Sequence, residues 1–130
     1  MADRSRYAQT YQDTALDTAD SKHLLVMLYD TALRHLYQAR EHMSAGHLEA
    51  QCEAIIKAQR ILSALMSALD SAPAPELAAN LWNLYNWLHS QLAEASIRDD
   101  AEVLETVIEV LTKLGNAWRE AEIACHQQAA

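Results

Sequence analysis

Four stretches of the chain repeat apolar residues at intervals of three and four, the spacing that draws one stripe along an α-helix. Leu25, Leu28, Ala32, Leu36, Ala39 and Met43 form the first stripe. Leu24, Met27 and Tyr37 widen it, and together they predict a helix over roughly 21–44. Ile55, Ala58, Leu62, Leu65 and Leu69 predict a second helix over 47–69. Leu77, Leu81, Leu84, Leu88 and Leu92 predict a third over 75–96, with Trp82, Tyr85 and Trp87 around its stripe. Leu104, Val107, Leu111, Leu114 and Trp118 predict a fourth over 99–125. Residues 1–19 are polar, lack such a period and read as a flexible arm ahead of a bundle domain over 20–127. The arm carries Tyr7 and Tyr11, four apart and on one face if it turns helical.

The breaks between stripes have their own chemistry. Asp17, Thr18, Asp20 and Ser21 all suit the start of the first helix. Gly46 can take the left-handed conformation that ends it. Pro73 and Pro75 cannot both lie inside one helix. Pro75 does suit the first position of the third helix, with Glu76 near its positive end. Asp99 or Asp100 caps the fourth helix, with Glu102 in its first turn. The connections are too short for a crossover, so the expected fold is all-α: an antiparallel up-down-up-down four-helix bundle with a flexible N-terminal arm. Such a bundle is about 35 Å long at 1.5 Å per residue. Packing of the four stripes supplies most of its stability, because each helix alone is marginal. Gly115, inside the fourth helix, costs about 1 kcal/mol against Ala. It reads either as a tolerated imperfection or as a place where another backbone comes close.

Composition narrows the class further. Gly 2 and Pro 2 in 130 residues leave too few turn residues for a sheet protein and none for a glycine-rich phosphate loop. A content of 51% hydrophobic and 22% charged residues suits one domain with a single core. The net charge of -8 opposes nucleic acid and anionic membrane as partners. No apolar run is long enough for membrane insertion, and the first residues lack a signal-peptide core, so cytoplasm is the expected compartment. Cys52 and Cys125 lie far apart and in no metal-ligand spacing, and read as reduced thiols there.

Candidate chemistry is sparse. A di-metal carboxylate bundle needs Glu-x-x-His pairs, and none occurs. Asp20-x-x-His23 is the nearest imitation, with Asp20 better placed as a cap. Glu122 and His126, four apart, read as a surface pair, and His42 and His47 straddle the Gly46 break. His89 and Ser90 have neither a nucleophile elbow nor an oxyanion nest to work with. The chain reads as a protein that binds, not an enzyme, and needs no cofactor or metal. Its surplus is aromatic. Trp82 diverges from Leu81 by about 100°, and Tyr85 and Trp87 also point apart, so the third helix is apolar over more than one contact requires. Either the core is thick with aromatic corners, or an apolar groove lies outside the bundle. Asp30 is rotated off the first stripe beside Tyr29, while Asn80 and Asn83 flank Leu81 and Leu84. These polar groups fix register between helices or bind partner backbone.

The stretch Leu24-Leu25-Val26-Met27-Leu28-Tyr29-Asp30-Thr31-Ala32-Leu33 resembles the signature of the flagellin-specific secretion chaperone family, FliS. Tyr7 and Tyr11 are similar to tyrosines of that family's arm. Residues 56–62 with Leu69-Asp70 resemble its second helix, and residues 78–88 its third. The spacing to Ala95, Asp99 and residues 107–118 also fits. The chain departs from the family pattern at Asp20-Ser21-Lys22, where Ser-Pro is usual, at Thr31, where Gly is usual, and at Ala74-Pro75, where paired glycines are usual. The resemblance implies a cytoplasmic helical bundle that binds the disordered C-terminal region of new flagellin. It implies that binding prevents premature polymerisation and aids delivery to the export gate of the flagellar type III secretion apparatus, without cofactor or ATP. It implies that the arm folds over the client groove through Tyr7 and Tyr11, and that Tyr29, Asp30, Asn80 and Tyr85 are structural or groove-lining. The apolar surplus places the client on the outer faces of helices two to four, near Ile55, Leu81, Tyr85, Val103 and Val110. The alternatives are a helical binding module for another flagellar regulatory or export protein, a structural homo-oligomeric bundle and, last, an enzyme.

Overall fold

The computed structural model describes residues 19–69, 72 and 74–129. Among them four helices form: α1 (Ala19–Ala45), α2 (Leu48–Ser67), α3 (Pro75–Arg98) and α4 (Ala101–Ala129). Tyr7, Tyr11 and the arm expected around them lie outside the described residues, except Ala19, which opens α1.

Helix ends follow local chemistry. Gly46, at φ 76°, ends α1 in the left-handed conformation. The Gly46 N–H donates to the Met43 carbonyl at 3.2 Å and the His47 N–H to the His42 carbonyl at 2.9 Å. Two carbonyls orphaned by the helix end are satisfied in this way. Asp99 ends α3 by the same device at φ 55°, with the Asp100 N–H reaching the Ala95 carbonyl at 3.0 Å. Asp100 then caps α4: its Oδ1 accepts from the Glu102 N–H at 3.0 Å and the Val103 N–H at 3.3 Å. The two aspartates therefore divide the labour, and α4 starts at Ala101, two residues after the expected 99. Its C-terminal end runs to Ala129, past the expected 125. α3 also runs two residues beyond its expected end, to Arg98. α2 is shorter than its stripe implied. It stops at Ser67, and the Ala68 N–H closes on the Ala64 carbonyl. Pro75 occupies the first turn of α3, as its fixed φ favours.

α1 packs most extensively on α2 and α4, α2 on α3, and the α3–α4 seam is the least extensive of the four neighbouring pairs. Cross-helix pairs fix antiparallel register. Between α1 and α4, His23 meets Glu122 at 2.8 Å, Arg119 meets Asp30 at 2.9 Å and Arg40 meets Glu105 at 2.6 Å. Between α2 and α3, Gln59 Nε2 donates to the His89 carbonyl at 3.2 Å, and Cys52 Sγ lies 3.4 Å from Ser96 Oγ. The fold is the all-α bundle expected from the stripes. The Arg119–Asp30 and Arg40–Glu105 ion pairs are half-exposed and set register more than stability, at about 0–1 kcal/mol each. The hydrogen bond that Arg40 donates to Glu105 raises the Arg40 pKa above the ordinary arginine value.

The core is one cluster drawn from all four helices, including Leu36, Ile55, Leu62, Leu88, Leu92, Leu104 and Leu111. Gly115 is buried beside it, and its lack of a side chain has a steric reason: a Cβ there would sit 3.4 Å from Tyr29 Cβ. That is the limit of ordinary contact, so one methyl fits and a larger side chain does not. Gly115→Ala is expected to hold or raise stability, by up to about 1 kcal/mol, through helix propensity. Gly115→Leu is expected to cost about 1–3 kcal/mol by overpacking. Urea denaturation of both variants measures the contrast.

Candidate binding surface

The centre of the bundle is aromatic and hydrogen-bonded. Tyr29 on α1 and Tyr85 on α3 are fully buried, and Trp118 on α4 nearly so. Trp118 Nε1 donates to the Tyr29 hydroxyl at 3.2 Å, and the Tyr29 and Tyr85 hydroxyls lie 2.5 Å apart in a second hydrogen bond. Buried Tyr and Trp need such partners for their polar atoms. The chain of contacts joins α1, α3 and α4 through the interior, and Gly115 makes room for the base of Tyr29. One residue outward, Asp30 accepts from Arg119 Nη2 at 3.0 Å and 2.9 Å on its two carboxylate oxygens. Tyr29 and Asp30 are thus both held by contacts from other helices.

The five residues expected near the client divide by depth. Ile55 (1% exposed), Leu81 (7%) and Tyr85 (0%) lie in the core. Val103 and Val110 are half-buried against it. On α4, the side facing α1 is marked by Glu105, Arg119 and Glu122, which make its cross-helix pairs. Val103 and Val110, seven apart, share the opposite side with Leu114, towards α3. On α3, His89 and Ser96 mark the side facing α2. Leu84 and Trp87 therefore flank the α4 side, and Trp82 the α2 side. Trp82 (44%) and Trp87 (43%) are both exposed. Asn80 is exposed as well, on the same helix.

α3 thus stands between two apolar seams. Towards α4 the seam carries Leu84, Trp87, Val103 and Val110. Towards α2 a cleft of about 340 Å³ is lined by Met66, Leu69, Pro75, Ala78, Ala79 and Trp82. The divergence of Trp82 from Leu81 signalled the surplus. The cleft gave no signal, because it needs the end of α2 and the start of α3 side by side. Trp87, exposed on the α4 side of α3, is not among the five residues expected near the client.

Little else gathers. Glu122 lies 2.8 Å from His23 Nδ1 and 3.9 Å from His126 Nε2. Among the described residues no group of three or more His, Cys, Asp and Glu side chains could hold a metal ion. The rings of His42 and His47 are 5.8 Å apart at the turn between α1 and α2. His89 is half-buried and Ser90 exposed, pointing apart as adjacent helical residues do. Cys52 and Cys125 are unbridged, and the helix register puts them at opposite ends of the bundle. Among the described residues no helix is long and apolar enough to cross a membrane.

A rigid bundle with a hydrogen-bonded interior, presenting apolar seams on both flanks of one helix, belongs to the class of all-α binding scaffolds. Comparison with known proteins gives the family. The family model described as "Flagellar protein FliS" matches residues 3–125. The flagellar secretion chaperone FliS of Salmonella typhimurium is 34% identical over 115 residues, covering 88% of this chain and 85% of that protein. That of Bacillus subtilis is 30% identical over 121 residues, covering 93% and 89%. The flagellar secretion chaperone FliSB of Pseudomonas aeruginosa is 30% identical over 118 residues, covering 91% and 94%. The chain belongs to the FliS family of flagellar secretion chaperones.

Proposed function

We propose that this protein is a cytoplasmic chaperone of flagellin export. It binds the disordered C-terminal region of the flagellin subunit, prevents premature polymerisation and aids delivery to the export gate of the flagellar type III secretion apparatus. The observation that supports this reading best is the pair of apolar seams flanking α3, on a chain of a flagellar chaperone family. It acts by binding alone, with no cofactor and no catalytic step.

Physical chemistry makes the arrangement suitable. A disordered tail loses conformational entropy when it orders on a partner, so it needs a broad apolar contact to compensate. The bundle supplies one already formed, at little reorganisation cost to itself. The tail lies along the outer faces of α2, α3 and α4. Val103 and Val110 contact it directly, with Trp82 and Trp87. Ile55, Leu81 and Tyr85 act from beneath, as the packed floor that holds those seams apart. Asn80 lies at the rim, where an amide can meet client backbone. Once covered, the tail's apolar residues are no longer available to neighbouring subunits, which is how binding blocks polymerisation.

Calorimetric titration of the full chain with roughly the last 40 residues of its own organism's flagellin tests this. Submicromolar one-to-one binding with a negative heat-capacity change is expected, the change marking apolar burial. A folded, helical sample that shows no binding at tens of micromolar would sink the proposal.

A further inference from the structure

The face that α3 turns outward differs in charge from the other helices. α1, α2 and α4 each distribute Asp, Glu, Lys and Arg along their exposed sides: Asp30, Arg34 and Glu41; Glu53, Lys57 and Arg60; Glu102, Glu109 and Lys113. On α3 no such residue occurs between Glu76 and Glu94, a span of about 25 Å at 1.5 Å per residue. Its outward positions are Asn80, Asn83, Asn86, Trp87 and Ser90, all exposed, with Trp82 beside them. The neutral surface continues into α2, where no charged residue follows Arg60 before Asp70. The cleft lined by Met66, Leu69 and Trp82 is uncharged too. Asn is a poor helix former, so three of them in the middle of α3 are not explained by helix propensity. Interfaces show the same combination at their centres: few charged groups and a high content of Trp.

We infer that the outer face of α3 selects an uncharged amphipathic segment of the client, one whose apolar residues pack on Trp82 and Trp87 and whose amides and hydroxyls meet Asn80, Asn83 and Asn86. The inference rests on the chaperone reading above and specifies which part of the tail α3 takes. Neutrality is what carries the selection. A carboxylate or an ammonium laid on this face would lose water without gaining a counter-charge, and burying an unpaired charge is costly whatever its sign. A neutral segment meets no such penalty. It also feels little of the field of a chain carrying a net charge of -8, because no ion pair has to form at the contact. Binding through α3 is therefore nearly independent of ionic strength, in contrast to association steered by charge.

The test is titration of the full chain with the flagellin C-terminal peptide in about 0.05 M and about 0.5 M NaCl, ionic strengths that take the screening length from above 10 Å to below it. Affinities that agree within about three-fold are expected. A larger change in either direction overturns the inference and leaves the chaperone reading standing. Absence of binding at both ionic strengths removes the chaperone reading and this inference with it. Asn83→Asp and Asn83→Lys carry the second arm. Both are expected to weaken binding at least about ten-fold, since both place an unpaired charge in the contact. An electrostatically read surface would respond to the two in opposite directions, and one variant that binds as well as the parent overturns the inference. Far-UV circular dichroism checks that both remain helical. If either loses helicity, the same substitutions at the exposed Asn86 replace them under the same criterion.

Discussion

Tyr29→Ala is expected to destabilise the protein by about 3–5 kcal/mol, the cost of emptying a large aromatic site in a packed core. Tyr29 is fully buried. The base of its side chain packs against Gly115 on α4, and its hydroxyl meets both Trp118 and Tyr85. A domain of this size has a total stability of about 5–15 kcal/mol, so the loss is a large share of it. The melting temperature should fall by roughly 10–20 °C. Tyr29→Phe separates the hydroxyl from the ring. It keeps the volume but removes the acceptor of the Trp118 N–H and the partner of the Tyr85 hydroxyl, for an expected loss of about 1–3 kcal/mol. Combining Tyr29→Phe with Tyr85→Phe should cost less than the sum of the two single changes, because both delete the same hydrogen bond. Urea denaturation followed by circular dichroism measures all four. A Tyr29→Phe protein within about 0.5 kcal/mol of the parent would show that the hydroxyl chain contributes nothing to stability.

Trp87→Ala should do the reverse: it leaves the fold nearly intact and weakens the client complex by about 30-fold or more, the 2 kcal/mol that marks an interface hot spot. The side chain is 43% exposed, so the unbound protein loses little packing with it. On the proposed function it anchors the client on the α4 side of α3, beside the stripe of Val103 and Val110. Val110→Asp extends the test to the facing helix. It puts a carboxylate into an apolar seam and should reduce affinity about 100-fold or more, with about 1–2 kcal/mol lost from the fold because Val110 is half-buried. Ile97→Ala is the control. Ile97 is 82% exposed at the far end of α3, and its truncation should leave affinity within about two-fold. The readout is the dissociation constant for the flagellin peptide beside the melting temperature of the free protein. Equal affinities for Trp87→Ala and the parent would exclude the α3–α4 seam as a client contact.

The sequence was most informative where a signal is local. Gly46 announced its left-handed turn because few residues other than glycine accept a positive φ without strain. Pro75 announced a helix start because it lacks an N–H and cannot sit deeper. The aspartate pair was legible as a cap but not in its division. Asp99 taking the left-handed position and Asp100 the cap depends on where α3 runs out, a matter of one residue. The stripes located the core within their own helices, and nearly every member of the cluster came from them or from a neighbour one residue away. They failed at particular residues. Leu24 and Met27 looked like a widened core and are about half exposed, whereas polar Gln51 is buried. Periodicity gives the centre of a buried arc but not its width, and the width depends on how closely the neighbouring helices approach.

The candidate surface shows the same division between chain and fold. The aromatic surplus of the third helix was present in the residue order, because adjacent positions diverge by about 100° and cannot all serve one stripe. Which aromatics were surplus was not. Tyr85 proved to be core and Trp87 surface, though both looked alike as large residues off the leucine stripe. The sequence by itself determined an all-helical bundle, the positions of its turns, the absence of charge along the middle of α3 and, through residues spread over nearly the whole chain, the family. Those are properties of neighbours in the chain, fixed by backbone sterics, helical period and residue type. Only the tertiary structure decided that Tyr29, Tyr85 and Trp118 meet, that Arg119 closes on Asp30, and that the end of α2 and the start of α3 enclose a cleft. Each of those contacts joins residues from separate helices, so its existence depends on the angles and distances at which the helices pack, and no single helix encodes these.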